Sequence, residues 1–155
     1  MALKPDRSIL ETDISLVCND VIGKGVVLVY ATGNTSASGA GVHSPGAAEK
    51  AAASSGRIPA GISLASFVDI DQTRFHRNFH KDEQIIGEKA PLLRKGWVIT
   101  DQLISGLTIL PGETAYLGAS GLLTNVASTN PKVGQFATKK DADGFIKVHI
   151  NIPSV

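Results

Sequence analysis

Two histidines set four residues apart, His76 and His80, form the pair in this sequence whose spacing most invites a chemical reading. On an α-helix that interval puts both imidazoles on one face, the arrangement zinc hydrolases use to hold the metal. The chemistry would be metal-assisted hydrolysis, with Asp69 and Asp71 as nearby carboxylates. The surrounding residues argue against it. Position 77 is arginine where a general base would have to be glutamate, and Arg74, Arg77 and Lys81 fill the same stretch with positive charge that opposes a divalent cation. The stretch reads better as a contact. Phe75 and Phe79 supply apolar anchors while Arg74 and Arg77 face solvent or a partner, and aromatic residues beside arginine are what interface centres favour. A metal-dependent enzyme using His76 and His80 therefore ranks last among the functions considered.

Other candidate chemistry is thinner. Asp69 and Asp71 share a strand face but have no nucleophile near them in sequence, so a solvated or arginine-paired face is the default. Asp141-Ala142-Asp143-Gly144 resembles a piece of a calcium loop but lacks the third acidic position and the distal glutamate. Asp-Gly between two apolar runs is a hairpin turn signal in its own right. No glycine cluster has phosphate-loop spacing, and Gly118-Ala-Ser-Gly121 is one residue short of a nucleophile elbow. Cys18 is the single cysteine, which rules out an internal disulfide and a cysteine-based zinc site; next to Ile14–Val17 it reads as packing. We expect no enzyme, no metal and no cofactor.

The elements that must position these residues are bounded by composition. The chain has 155 residues, 43% of them hydrophobic, enough for one core. A formal charge of +1 gives no long-range field for nucleic acid or acidic lipid, and 5% aromatics is sparse for a base-stacking platform. The start, MALKPDRSILETD, has no signal-peptide apolar stretch, and nowhere do about 18 apolar residues run together. A soluble protein made in a cytoplasm is expected, with neither nucleic acid nor membrane as partner.

Patterning divides the chain at about residue 21. Residues 1–21 mix Pro5, charges and isolated apolar side chains without a sustained period, which predicts an extended N-terminal arm. Residues 22–155 read as one β-rich domain. Gly25 to Tyr30 predicts a strand. The Gly/Ala-rich stretch 33–61 begins as a loop, and within it Ser44, Pro45 and Gly56 punctuate residues 44–56 as a short helix; an ordered loop is the alternative reading. Further strands are predicted over Ile62–Ile70, over Ala90–Arg94 and Trp97–Thr100 on either side of Gly96, and over Thr114–Leu117 with Leu122–Thr124. A closing hairpin joins Val133–Thr138 to Phe145–Ile152. In its last strand Ile146, Val148, Ile150 and Ile152 share one face, and Lys147, His149 and Asn151 the other. The fold class is mostly β: a small sandwich or open β-barrel body carrying an extended arm.

Several segments, taken in order, resemble the head decoration (cement) proteins of tailed bacteriophages. They are ALKPDR, GKGVVLVYATG, RIPAGISLASFVDIDQTRFHRNFHKDE, LLRKGWVITDQLISG and the run from PGETAYLG to FIKVHINI, together most of the chain. The resemblance implies a small β-barrel or β-tulip body that sits as a homotrimer on the outer surface of the capsid. It also implies an N-terminal arm that clamps the major capsid protein, so that the protein is a structural, non-enzymatic part of the virion. On that basis the arm residues Pro5, Arg7, Ile9, Leu10, Ile14 and Leu16, with Val17, are expected capsid or trimer contacts, alongside Arg74, Phe75, Arg77 and Phe79. The alternative is a head-fibre or sugar-binding β module. It would need exposed rings from Trp97, Tyr30 or Tyr116, and Trp97 lies in a strand that reads as core.

Overall fold

A computed structural model describes residues 3–32, 46–70 and 78–152. Asp71, Arg74, Phe75, His76 and Arg77, with Ser44 and Pro45, lie outside the described residues. The fold is mostly β, and its organisation follows from one long strand, β8 (Leu92–Thr100), numbered with all strands in chain order. The first of them, β1 (Ser8–Asp13), runs antiparallel along one edge of β8. The other edge is shared. Its first part pairs with β5 (Pro59–Ser63), and its later part pairs with β12 (Ile146–Asn151).

From β5 the sheet continues through β3 (Val27–Tyr30) and β4 (Ala47–Glu49) to β2 (Val17–Cys18), which lies parallel to β4. From β12 it continues through β11 (Lys132–Phe136) and β9 (Thr114–Leu117) to β10 (Leu123–Thr124). A separate parallel pair joins β6 (Ser66–Val68) to β7 (Glu83–Ile85). The path ends at β10 and β2, and among the described residues no pairing joins these ends, so the sheet is open rather than a closed barrel.

Two apolar clusters fill the body, and β3, β5 and β8 separate them. Val27, Val29, Ile62 and Leu93 point into the larger cluster with Phe136, Val148 and Ile150. Their neighbours Leu28, Ala60 and Leu92 point the opposite way, into a smaller cluster around Phe67 and Cys18. Burial on both faces makes these strands near-continuous apolar runs, whereas β12 alternates cleanly because one of its faces is open. The alternation expected for Ile146 to Ile152 is therefore present. The Asp141–Gly144 turn is present too: the Asp141 carboxylate accepts hydrogen bonds from the backbone N–H groups of Asp143 (3.1 Å) and Phe145 (2.7 Å).

The Gly/Ala-rich segment departs from the helix reading. Residues 47–49 form β4, and Gly56, at φ +71°, serves a turn. Alanine faces offer a helix no apolar stripe to bury. The same small side chains let Ala48 close against the second cluster while its neighbours complete ladder bonds with β2 and β3. Among the described residues no helix is long and apolar enough to cross a membrane.

Candidate docking edge

The N-terminal leader is extended, but it is not detached. Leu3 is 1% exposed and lies in the larger cluster, bridged to Thr100; the Lys4 N–H donates to the Ile99 carbonyl at 2.9 Å. Leu16, Val17 and Cys18 are buried as well. The change at residue 21 is thus one of texture and not a break in packing. The leader's apolar residues lack a period because they serve different places: the larger cluster, the smaller cluster and the outside.

Gly96 lets the leader lie where it does. Its φ is +140°, and a Cβ there would fall far inside van der Waals contact with the Ser8 carbonyl. No other residue type combines that backbone with that approach. Around this point the β1–β8 ladder shifts register twice, between Ile9 and Glu11 and between Glu11 and Thr12. The first shift leaves Leu10 without an opposite residue, a bulge that turns its side chain outward. The second leaves Arg94 unopposed on β8. Its buried side chain reaches the Asp13 carboxylate at 3.4 Å and the Tyr30 hydroxyl at 3.3 Å. Lys95 and Glu11 add an outer ion pair at 3.1 Å.

Asp13 also accepts the Ser15 N–H at 2.7 Å; its hydrogen bonds to Ser15 and the nearby Arg94 guanidinium hold its carboxyl below the ordinary value of 3.8.

What remains outside is apolar. Ile9, Leu10 and Ile14 are 47%, 78% and 60% exposed. They lie on or beside a strand whose other edge pairs with no strand among the described residues. Native edge strands are normally blunted by charge, proline or bulges, and β1 carries all but the proline. Three large aliphatic side chains left on such an edge are an invitation to another chain.

Of the expected contact residues, Ile9 and Leu10 are exposed on this edge strand and Ile14 just after it. Pro5 is exposed and Arg7 half-buried just before it. Leu16 and Val17 are corrections: after Ile14 the chain turns inward to reach β4, so both are packed inside and offer nothing to a partner. Phe79 opens a single 3-10 turn, Phe79–Lys81. His80, in that turn, is exposed and its backbone N–H donates to Asn78 Oδ1 at 3.1 Å; Asp69 is exposed. That short 3-10 turn is followed at once by β7 (Glu83–Ile85), and His76 lies outside the described residues. Among the described residues no three His, Cys, Asp or Glu side chains converge as metal ligands.

Trp97 is a second correction. It lies half-buried on the open face of β8, with the Lys147 ammonium 3.9 Å from its ring centre. The sequence offered no way to see this, because β8 changes from two-sided to one-sided burial along its length. Cys18 is fully buried, and burial pushes its thiol up to about 11. No family model matches the chain, and no curated protein does.

Proposed function

We propose that this protein is a structural virion component, a decoration protein that binds the outer surface of a tailed-phage head as a trimer and cements its major capsid protein lattice. One observation carries the reading: a rigidly held edge strand that presents Ile9, Leu10 and Ile14 to the outside. Such an edge suits strand addition, in which main-chain bonds supply affinity and alternate side chains supply selectivity. Three copies acting together would turn modest single contacts into firm attachment. Binding that selects the expanded lattice would stabilise that lattice by mass action. The order of segments resembling phage decoration proteins is what favours the major capsid protein as the partner, and nothing in this role requires a reacting side chain.

The test uses heads assembled from the major capsid protein of the same phage and expanded without decoration. Wild-type protein should appear at threefold positions by electron microscopy, three copies per site. Leu10→Glu combined with Ile14→Glu should abolish that density and leave the circular dichroism spectrum unchanged. Full decoration by the double variant would refute the edge as the docking surface, and absence of wild-type protein from such heads would refute the capsid reading. Removing residues 1–13 is a poorer test, since it strips Leu3 from the core and uncovers β8.

The sugar-binding alternative has less to stand on. Lys147 already occupies a face of Trp97, and the Tyr30 hydroxyl is engaged by Arg94.

A further inference from the structure

A second surface stands apart from the docking edge and does not depend on the capsid reading. Lys4, Lys139, Lys140 and Lys147 line one depression of about 340 Å³, whose apolar floor is Ile99 and Phe145. Three separate pieces of chain converge there. Lys4 comes from the leader, pinned by its backbone bond to Ile99. Lys147 and Phe145 come from β12 and the turn before it, and Lys147 stands opposite Ile99 in the ladder. Lys139 and Lys140 come from the β11–β12 connection and are exposed.

One carboxylate answers these four cations. Asp141 binds Lys4 at 3.1 Å, while Asp143 in the same turn does not line the depression. Lys4 also lies 4.6 Å from the centre of the Phe145 ring, and Lys147 covers Trp97. Lys139 and Lys140 have no ion-pair partner among the described residues. In a chain whose formal charge is only +1, this is a local excess of positive charge beside exposed apolar surface.

We infer that this depression docks a short acidic segment of a partner protein, with carboxylates on Lys139, Lys140 and Lys147 and an apolar side chain on Phe145 and Ile99. Charge complementarity selects an anion. The details favour carboxylates over a nucleic-acid backbone. Lys147 already covers a ring face on which a base would stack. No arginine lines the depression, so it lacks the planar guanidinium that stacks on nucleic-acid bases. Near-zero net charge supplies no extended basic stripe for a nucleic-acid backbone to follow, whereas four lysines in one depression suit a short acidic segment.

The chain's single tryptophan, Trp97, makes the test direct, because an acidic ligand that draws Lys147 off the ring changes the indole emission. The full-length protein is titrated with a hexaglutamate peptide, a hexaglutamine peptide and a hexathymidylate oligonucleotide, by tryptophan emission and by backbone-amide NMR. Hexaglutamate should give saturable changes centred on residues 138–147, weakening with salt, and hexaglutamine none. Lys139→Glu with Lys140→Glu, both exposed and so harmless to folding, should weaken hexaglutamate binding on the order of tenfold. Lys50→Glu, an exposed change on β4's flank, should leave it unaltered. No saturable response to hexaglutamate by either measurement, equal affinity in the Lys139/Lys140 variant, or tighter binding of the oligonucleotide would each overturn the inference.

Discussion

The α-carbon of Gly96 faces the Ser8 carbonyl oxygen with no room for a Cβ between them, at a backbone φ of +140° that side chains resist. The leader and the central strand are thereby fitted to each other at a single point. Gly96→Ala should cost roughly 2–4 kcal/mol, combining backbone strain with a clash against main chain that cannot swing aside. Urea unfolding measures the loss, and hydrogen exchange at residues 8–13 should rise more than exchange in β11 and β12. An alanine variant as stable as wild type would show that the leader is held elsewhere.

The ties around Arg94 predict how stability responds to acid. Asp13 is held below its ordinary 3.8 by Ser15 and by Arg94, and Asp141 is also lowered, by the Phe145 N–H and then Lys4. For a carboxyl with a depressed folded-state value, the stabilisation is present above the unfolded value and is lost as pH falls through the folded one. Stability should therefore be flat from neutral pH down to about pH 5 and drop below about pH 4. Asp13→Asn should lower stability at pH 7 and make the acid limb shallower. A variant whose acid limb matches the wild type would contradict the assignment.

Cys18 should be silent to thiol reagents. Its sulfur is buried, and its ionisation is pushed up to about 11, so little thiolate exists at pH 8. Reaction with an aromatic disulfide reagent should be slow in native buffer, complete within seconds in denaturant, and at intermediate urea should track global unfolding. Fast native labelling would show that β2 and its surroundings open locally.

The two apolar clusters share β3, β5 and β8 and should melt as one. Phe136→Ala in the larger cluster and Phe67→Ala in the smaller should each cost about 3–5 kcal/mol, since both rings are fully buried. Each variant should show one cooperative transition by tryptophan emission and by far-ultraviolet dichroism. Separate transitions by the two probes in the Phe67 variant would mean that the smaller cluster is an independent unit.

The outward side chains of β1 should be nearly neutral for folding. Leu10→Lys should change stability by no more than about 0.5 kcal/mol, because the bulge leaves that side chain 78% exposed. It should also raise the concentration at which the free protein self-associates, measured by light scattering.

Elements governed by neighbours in sequence are legible from residue order alone. The closing hairpin declares itself through strict alternation in Ile146–Ile152 and an Asp-Gly turn, and β3 through a run of branched apolar residues. What residue order hides depends on distant partners. β5 is Pro-Ala-Gly-Ile-Ser, poor in strand formers, yet it is fully buried because small residues are what fit there: a Cβ on Gly61 would fall 2.8 Å from Leu92 Cβ. The same logic makes a strand of Ala47–Glu49. Of the docking edge, Ile9, Leu10 and Ile14 are identifiable as apolar residues in a polar leader. That Leu16 turns inward, and that Trp97 faces outward under Lys147, follow from pairings that no local pattern encodes.

The placement of β1 against β8 has a consequence during synthesis. Lys4 finds Asp141 across 137 positions, and Ser8 meets Trp97 only after the whole first half of the chain has been made. At about 5–20 residues per second, a newborn leader waits several seconds with Leu3 and Leu10 alike in water. Leu3 is thus made well before the cluster that covers it, and the leader has nothing to dock on until residues 92–100 emerge.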